Sequence, residues 1–170
     1  MLDIVYYSDS FLRKKAQTVQ SFDENLHALL DEMYILMIER NGVGLAAPQV
    51  RHSLRALVIN LPDEEGEQHK ENLLEVLNPE IIEHSGKILF NEGCLSVPDY
   101  YDDIERSEKI TVSFQDRFGN AHTLDAEGYL AVALQHEIDH LNGILFVDRL
   151  PLLKRKRFEK AFKKQQRCSA

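Results

Sequence analysis

The sequence predicts an α+β fold in which antiparallel β-sheets pack around a central buried helix, with a further helix at the C-terminus. Three observations lead there. The stretch 129–141 is apolar on nearly every side before its first histidine and then reads His136-Glu137-Ile138-Asp139-His140, as an interior helix bearing a polar site would. Between residues 55 and 124, short apolar and β-branched runs alternate with turn signals. After Pro151, apolar residues recur at helical spacing within a strongly basic stretch.

In chain order, residues 23–40 form a helix with Ser21 or Asp23 as its cap and Leu26, Leu29, Leu30, Met33, Leu36 and Met37 on one face. A glycine-containing segment, residues 41–50, follows. Residues 55–60 read as a buried strand, and residues 62–71 as a polar, acidic loop with no core-forming residues. Strand-like runs occupy 74–77, 80–84 and 87–90. The segment around Cys94 reads as a turn rather than a strand centre, because Pro98 follows it. Residues 109–115 alternate, and 116–120 turn them into 122–124 as an antiparallel hairpin. Gly143, after Asn142, stops the central helix. The terminal helix, about 151–167, is expected to lay Leu152, Leu153, Phe158 and Phe162 against the body. With 170 residues and no repeat, low-complexity run or linker, residues 1–170 are expected to form one domain.

Composition narrows the function. The chain is 44% hydrophobic and 28% charged, as globular proteins are, and no run approaches the roughly 20 apolar residues of a membrane span. Residues 1–10 lack the basic and apolar regions of an export signal, and the two cysteines, Cys94 and Cys168, do not suggest a disulfide framework. A cytoplasmic location is expected, without a membrane partner. Residues 152–170 hold eight bases against the single acid Glu159, a charge of +7, so with a total of −8 the remainder is −15. Such a tail is either a solvated amphipathic helix or a handle for something anionic such as RNA.

The chemistry lies in residues 136–140. Imidazoles four residues apart share one face of a helix and can hold a single metal ion. Glu137 between them can then exchange a proton with a metal-bound water of lowered pKa. A catalytic site needs a third protein ligand and an open position. A metzincin protease would place a histidine three residues after Gly143, where Phe146 stands, and a thermolysin-like one would use a downstream glutamate, of which only Glu159 exists. Cys94 is the remaining candidate, although a lone cysteine is more often a small core residue. Gly42-Val43-Gly44-Leu45-Ala46-Ala47 superficially fits a dinucleotide fingerprint. It follows a helix instead of a strand, and Pro48 interrupts any helix after it, so no nucleotide cofactor is expected.

Three segments, Gly42-Val43-Gly44-Leu45-Ala46-Ala47-Pro48-Gln49, Glu92-Gly93-Cys94-Leu95-Ser96 and Gln135-His136-Glu137-Ile138-Asp139-His140, closely resemble the three signature motifs of the peptide deformylases, in that family's order. The resemblance runs from the first helix to the last, and the terminal helix looks like that of the bacterial type I form. It implies a metal-dependent hydrolase that removes the N-formyl group from the initiator N-formylmethionine of newly made polypeptides. Cys94, His136 and His140 would hold one divalent metal, Fe2+ in cells, with Zn2+, Ni2+ or Co2+ able to substitute. The metal-bound water would be the nucleophile and Glu137 its general acid and base, with Gln49 and the Leu95 N–H on the oxyanion. Val43, Gly44, Glu92 and Gly93 would run beside the substrate, and Phe90, Tyr129, Val132 and Ala133 would wall the methionine slot. Arg106 is the expected partner of Asp139. The basic tail would meet the ribosome surface. One departure is Tyr101, where many relatives carry arginine. The alternatives are a zinc endopeptidase and a ribosome- or RNA-binding module with a structural metal.

Overall fold

The computed structural model describes residues 1–169, with side chains up to Cys168; Ala170, the end of the expected domain, lies outside the described residues. Asp23 opens the first helix, α1 (Glu24–Glu39), its carboxylate accepting the Leu26 N–H at 3.0 Å. The helix ends in a Schellman motif: Asn41 takes a left-handed φ of 57°, and the Gly42 N–H donates to the Met37 carbonyl at 2.8 Å. That turn delivers the glycine-containing segment directly into β1 (Gly44–Ala46), a strand with no periodic signal of its own in the sequence.

Next come β2 (Ala56–Ile59), β3 (Leu74–Ser85), β4 (Ile88–Cys94), β5 (Val97–Arg106), β6 (Lys109–Gln115) and β7 (Ala121–Glu127). The helices α2 (Gly128–Leu141) and α3 (Leu152–Ser169) complete the order. Five strands pair antiparallel in the order β1-β2-β3-β6-β7, and β4 pairs with β5 as a separate hairpin. The two runs expected at 74–77 and 80–84 are one strand, β3, bulged between Leu77 and Glu80. The unassigned residues 97–106 form β5, because pairing with β4 overrides the poor strand propensity of Asp99, Asp102, Asp103 and Glu105.

Strand β2 shows why the sheet is central. Ala56 and Val58 pack with Leu30, Met33 and Met37 of α1, whereas Leu57 and Ile59 pack with Ala131, Leu134 and Ile138 of α2. Alternate residues point to opposite faces, so the sheet is sandwiched between the two helices. Each helix thus buries its apolar face, and every residue of β2 is buried. A third cluster joins the β4–β5 hairpin to residues 145–150 and to Phe158 of α3.

Helix α3 docks through Phe158 and Phe162, which meet Tyr7 edge-on at 5.0 and 4.7 Å. Leu152 and Leu153, expected against the body, are exposed instead, because the apolar docking face of the helix is set by Phe158 and Phe162 further along. Among the described residues, no helix is long and apolar enough to cross a membrane.

Candidate active site

The end of α2, the turn that closes β4–β5 and the segment around β1 meet in a cleft of about 580 Å³. Val43, Gly44, Gln49, Phe90, Glu92, Gly93, Cys94, Leu95, Tyr129, Val132, Ala133, His136 and Glu137 all line it. His140, one helical turn beyond His136, is buried behind it.

Cys94 ends β4 and faces Val97 across a two-residue turn, which aims its thiol at α2. Its Sγ lies 3.4 Å from His140 Nε2, and donor atoms of Cys94, His136 and His140 all fall within 4.8 Å of one another. Gln49 is clamped: its Oε1 accepts the Ala46 N–H at 2.9 Å, while its Nε2 donates to Ser96 Oγ at 3.1 Å and approaches Cys94 Sγ at 3.4 Å. His136 Nδ1 donates to Glu92 Oε1 at 2.8 Å, which leaves Nε2 free to ligate. Glu137 Oε1 stands 4.0 Å from that Nε2, and its Oε2 has no protein partner among the described residues. Gly44 is required here, since a Cβ on it would lie 2.6 Å from Glu137 Oε1.

The electrostatics favour a cation. Burial pushes the Glu137 carboxyl up to about 7, with Glu92 and Asp139 adding to the rise against His136 and Arg106. Glu92 stays below the usual carboxylate range: burial opposes this, but hydrogen bonds from Arg106 and His136 outweigh it. His136 is raised well above an ordinary imidazole; burial again opposes, but Cys94 and Glu92 prevail. His140 is driven well below by burial and by repulsion from His136 and Arg106, so its ring stays neutral and able to donate a lone pair. A soft thiolate with two imidazoles suits a divalent transition metal. The unpartnered, buried Glu137 Oε2 beside the clustered Cys94, His136 and His140 donors marks a polar site completed by something other than protein, so the residues fit a metal.

A family model described as polypeptide deformylase matches residues 1–156. The chain belongs to this family. A peptide deformylase of Wolinella succinogenes is 59% identical over 169 residues, covering 99% of both chains. The crystal structure of a peptide deformylase from Legionella pneumophila is 46% identical, with a TM-score of 0.88 over 99% of this chain and 97% of that one. A Met-Ala-Ser-bound class I type b peptide deformylase from Acinetobacter baumannii is 38% identical, with a TM-score of 0.81 over 88% of this chain and 98% of that one. Peptide deformylases are metalloenzymes, and this chain is one of them.

Within this deformylase frame some residues stand differently from expectation. The Glu92 carboxylate, expected beside substrate, is occupied by Arg106 (2.8 Å at each oxygen) and by His136. Arg106 does pair with Asp139, at 2.6 Å. Sequence reasoning missed Arg149, which binds both Asp139 oxygens at 2.6 and 2.7 Å, and the role of the buried Ser96 hydroxyl as acceptor for Gln49. No local signal marks either one. Tyr101 is exposed at the cleft mouth, with its ring against Gly93, where a Cβ would come within 2.3 Å of it.

Proposed function

We propose that the chain hydrolyses the N-formyl group of N-formylmethionyl nascent polypeptides and releases formate. The observation that carries this reading is the convergence of the Cys94, His136 and His140 donor atoms within 4.8 Å, beside a buried Glu137, in an open cleft. Cys94 Sγ and the His136 and His140 imidazoles would hold a divalent cation, which would supply Lewis acidity toward water and the formyl carbonyl. Glu137 takes the proton from the attacking water. The formyl C–N bond breaks, and Glu137 returns that proton to the leaving amine nitrogen, so one base serves both halves of the reaction. Gln49 Nε2, held by its bonds to Ala46 and Ser96, and the Leu95 N–H donate to the developing oxyanion without needing to reorganise.

Phe90 and Tyr129, with ring centroids 4.9 Å apart, form with Val132 and Ala133 an apolar slot suited to a methionine side chain. Strand β1 is an edge of the five-stranded sheet, so Val43 and Gly44 can offer main-chain groups to an extended peptide. Residues 1–170 act as one catalytic domain, since the cleft draws on residues from Val43 to Glu137 and α3 packs on the hairpin that bears Cys94. The metal in cells is Fe2+, with Zn2+, Ni2+ or Co2+ as substitutes, and the enzyme works in the cytoplasm at the ribosome surface, guided by its basic helix.

Formyl-Met-Ala-Ser and Met-Ala-Ser test the reading. Formate is expected from the first, with the peptide bonds of both left intact. Cleavage of those bonds would indicate an endopeptidase, and inertness with metal retained would indicate a binding module. Metal analysis of protein purified without oxygen tests the iron assignment.

A further inference from the structure

Two carboxylates, Glu92 and Asp139, lie buried behind the metal-ligand histidines with one buried cation, Arg106, between them. Arg106 spends its fork on Glu92, with Nε on Oε2 and Nη2 on Oε1, both at 2.8 Å. Only Nη1 remains for Asp139, at 2.6 Å. The other cation comes from the surface. Arg149 stands at the end of the short turn Phe146–Arg149, with its side chain 43% exposed, and forks onto Asp139 through Nε and Nη2. Guanidinium and carboxylate therefore alternate from solvent inward, Arg149–Asp139–Arg106–Glu92, and the last carboxylate accepts the Nδ1–H of His136.

We infer that Arg149 is a positioning residue for the metal centre, acting through Asp139 and Arg106 on the Glu92 carboxylate that orients His136. The inference rests on the metal-hydrolase reading above. With Arg149 present, Asp139 is neutralised from outside, and Arg106 keeps both fork nitrogens on Glu92. Without it, two buried carboxylates compete for one guanidinium, and the hold of Glu92 on His136 loosens. Arg149 is not needed to form its own turn. Asp148 Oδ2 already accepts the Leu145 N–H at 2.9 Å and pairs with Arg13.

The experiment follows Co2+ release to excess chelator through decay of the thiolate-to-cobalt absorption band. Arg149→Gln is expected to release cobalt about ten-fold faster, at the lower end of the effect of removing groups behind a metal ligand. Arg149→Lys, which keeps the charge but loses the fork, should fall between that variant and wild type, and it carries the test if the glutamine variant does not fold. Arg117→Gln, which breaks a surface pairing with Asp31 and Glu75, should release cobalt at the wild-type rate. In an Asp139→Asn background the competition is gone, so adding Arg149→Gln should change nothing further. Wild-type release from Arg149→Gln, or the same ten-fold acceleration in the Asp139→Asn background, would overturn the inference while the metal centre stood. A wild-type protein that binds cobalt without the thiolate band would instead refute the metal centre, and this inference with it.

Discussion

Burial is the main cause that pushes the Glu137 carboxyl up to about 7, which makes its carboxylate a stronger base than an exposed one. A bound cation nearby offsets that, which couples its role to the metal. Replacing it with glutamine keeps the ligands and removes the proton carrier. Formate release is expected to fall by about 10²–10⁴ with metal content unchanged, and near wild-type turnover would remove Glu137 from the mechanism. The same carboxyl affects folding of the metal-free protein. Its folded pKa lies above its unfolded value, so the folded state holds the proton more tightly and stability is lost as pH rises from about 4.5 through 7. The loss is up to about 3 kcal/mol, each pKa unit being worth about 1.4 kcal/mol. Urea unfolding of metal-free wild type and Glu137→Gln at pH 5 and pH 8 should therefore show the variant gaining relative to wild type at the higher pH. A constant difference would contradict it. Cys94 and Cys168 should separate as sharply: Cys94→Ser is expected to lose metal, whereas Cys168→Ser, on the exposed part of α3, should keep both metal and activity.

Elements place these side chains through their ends. Helix α2 stops in a Schellman motif, with Gly143 at φ 74° and the Ile144 N–H donating to the Asp139 carbonyl at 2.9 Å. A Cβ at Gly143 would meet the Arg13 carbonyl oxygen at 2.4 Å, so Gly143→Ala combines a left-handed strain with a backbone clash. A loss of more than about 1 kcal/mol is expected, read as a lower urea midpoint; an unchanged midpoint would show that the turn can relax. This helix stop was legible in the sequence because glycine there has a local reason. So were α1 and the β6–β7 hairpin, whose periodicities are strong. Strand β5 was not, because its acidic residues disfavour a strand until β4 supplies the partner.

At the scale of the whole molecule the charge is divided between α3 and the rest. The helix carries the whole +7 of the tail, against −15 elsewhere, and Lys156, Lys160, Lys163 and Lys164 all stand exposed. Phe158 and Phe162 anchor one face, so these lysines can be changed without undocking the helix. Replacing the four with glutamine is expected to weaken co-sedimentation with ribosomes, most clearly at low salt, because neutralised phosphates release counterions. Turnover of short formyl peptides should persist. If the folded variant still sediments like wild type, the tail is only a solvated helix.

The sequence put His136, Glu137 and His140 close together on one helix, since that spacing holds wherever the helix lies. It also placed Gln49 and Cys94 through short motifs whose local order is diagnostic. What surrounds them comes from the assembled fold. Arg149 and Asp139 are separated by ten residues and a helix stop, and Arg106 and Glu92 sit on different strands of one hairpin. Local sequence cannot encode such pairings. Burial makes them obligatory, because carboxylates inside the protein must find cations, and only the assembled sheet and helices determine which cations lie within reach.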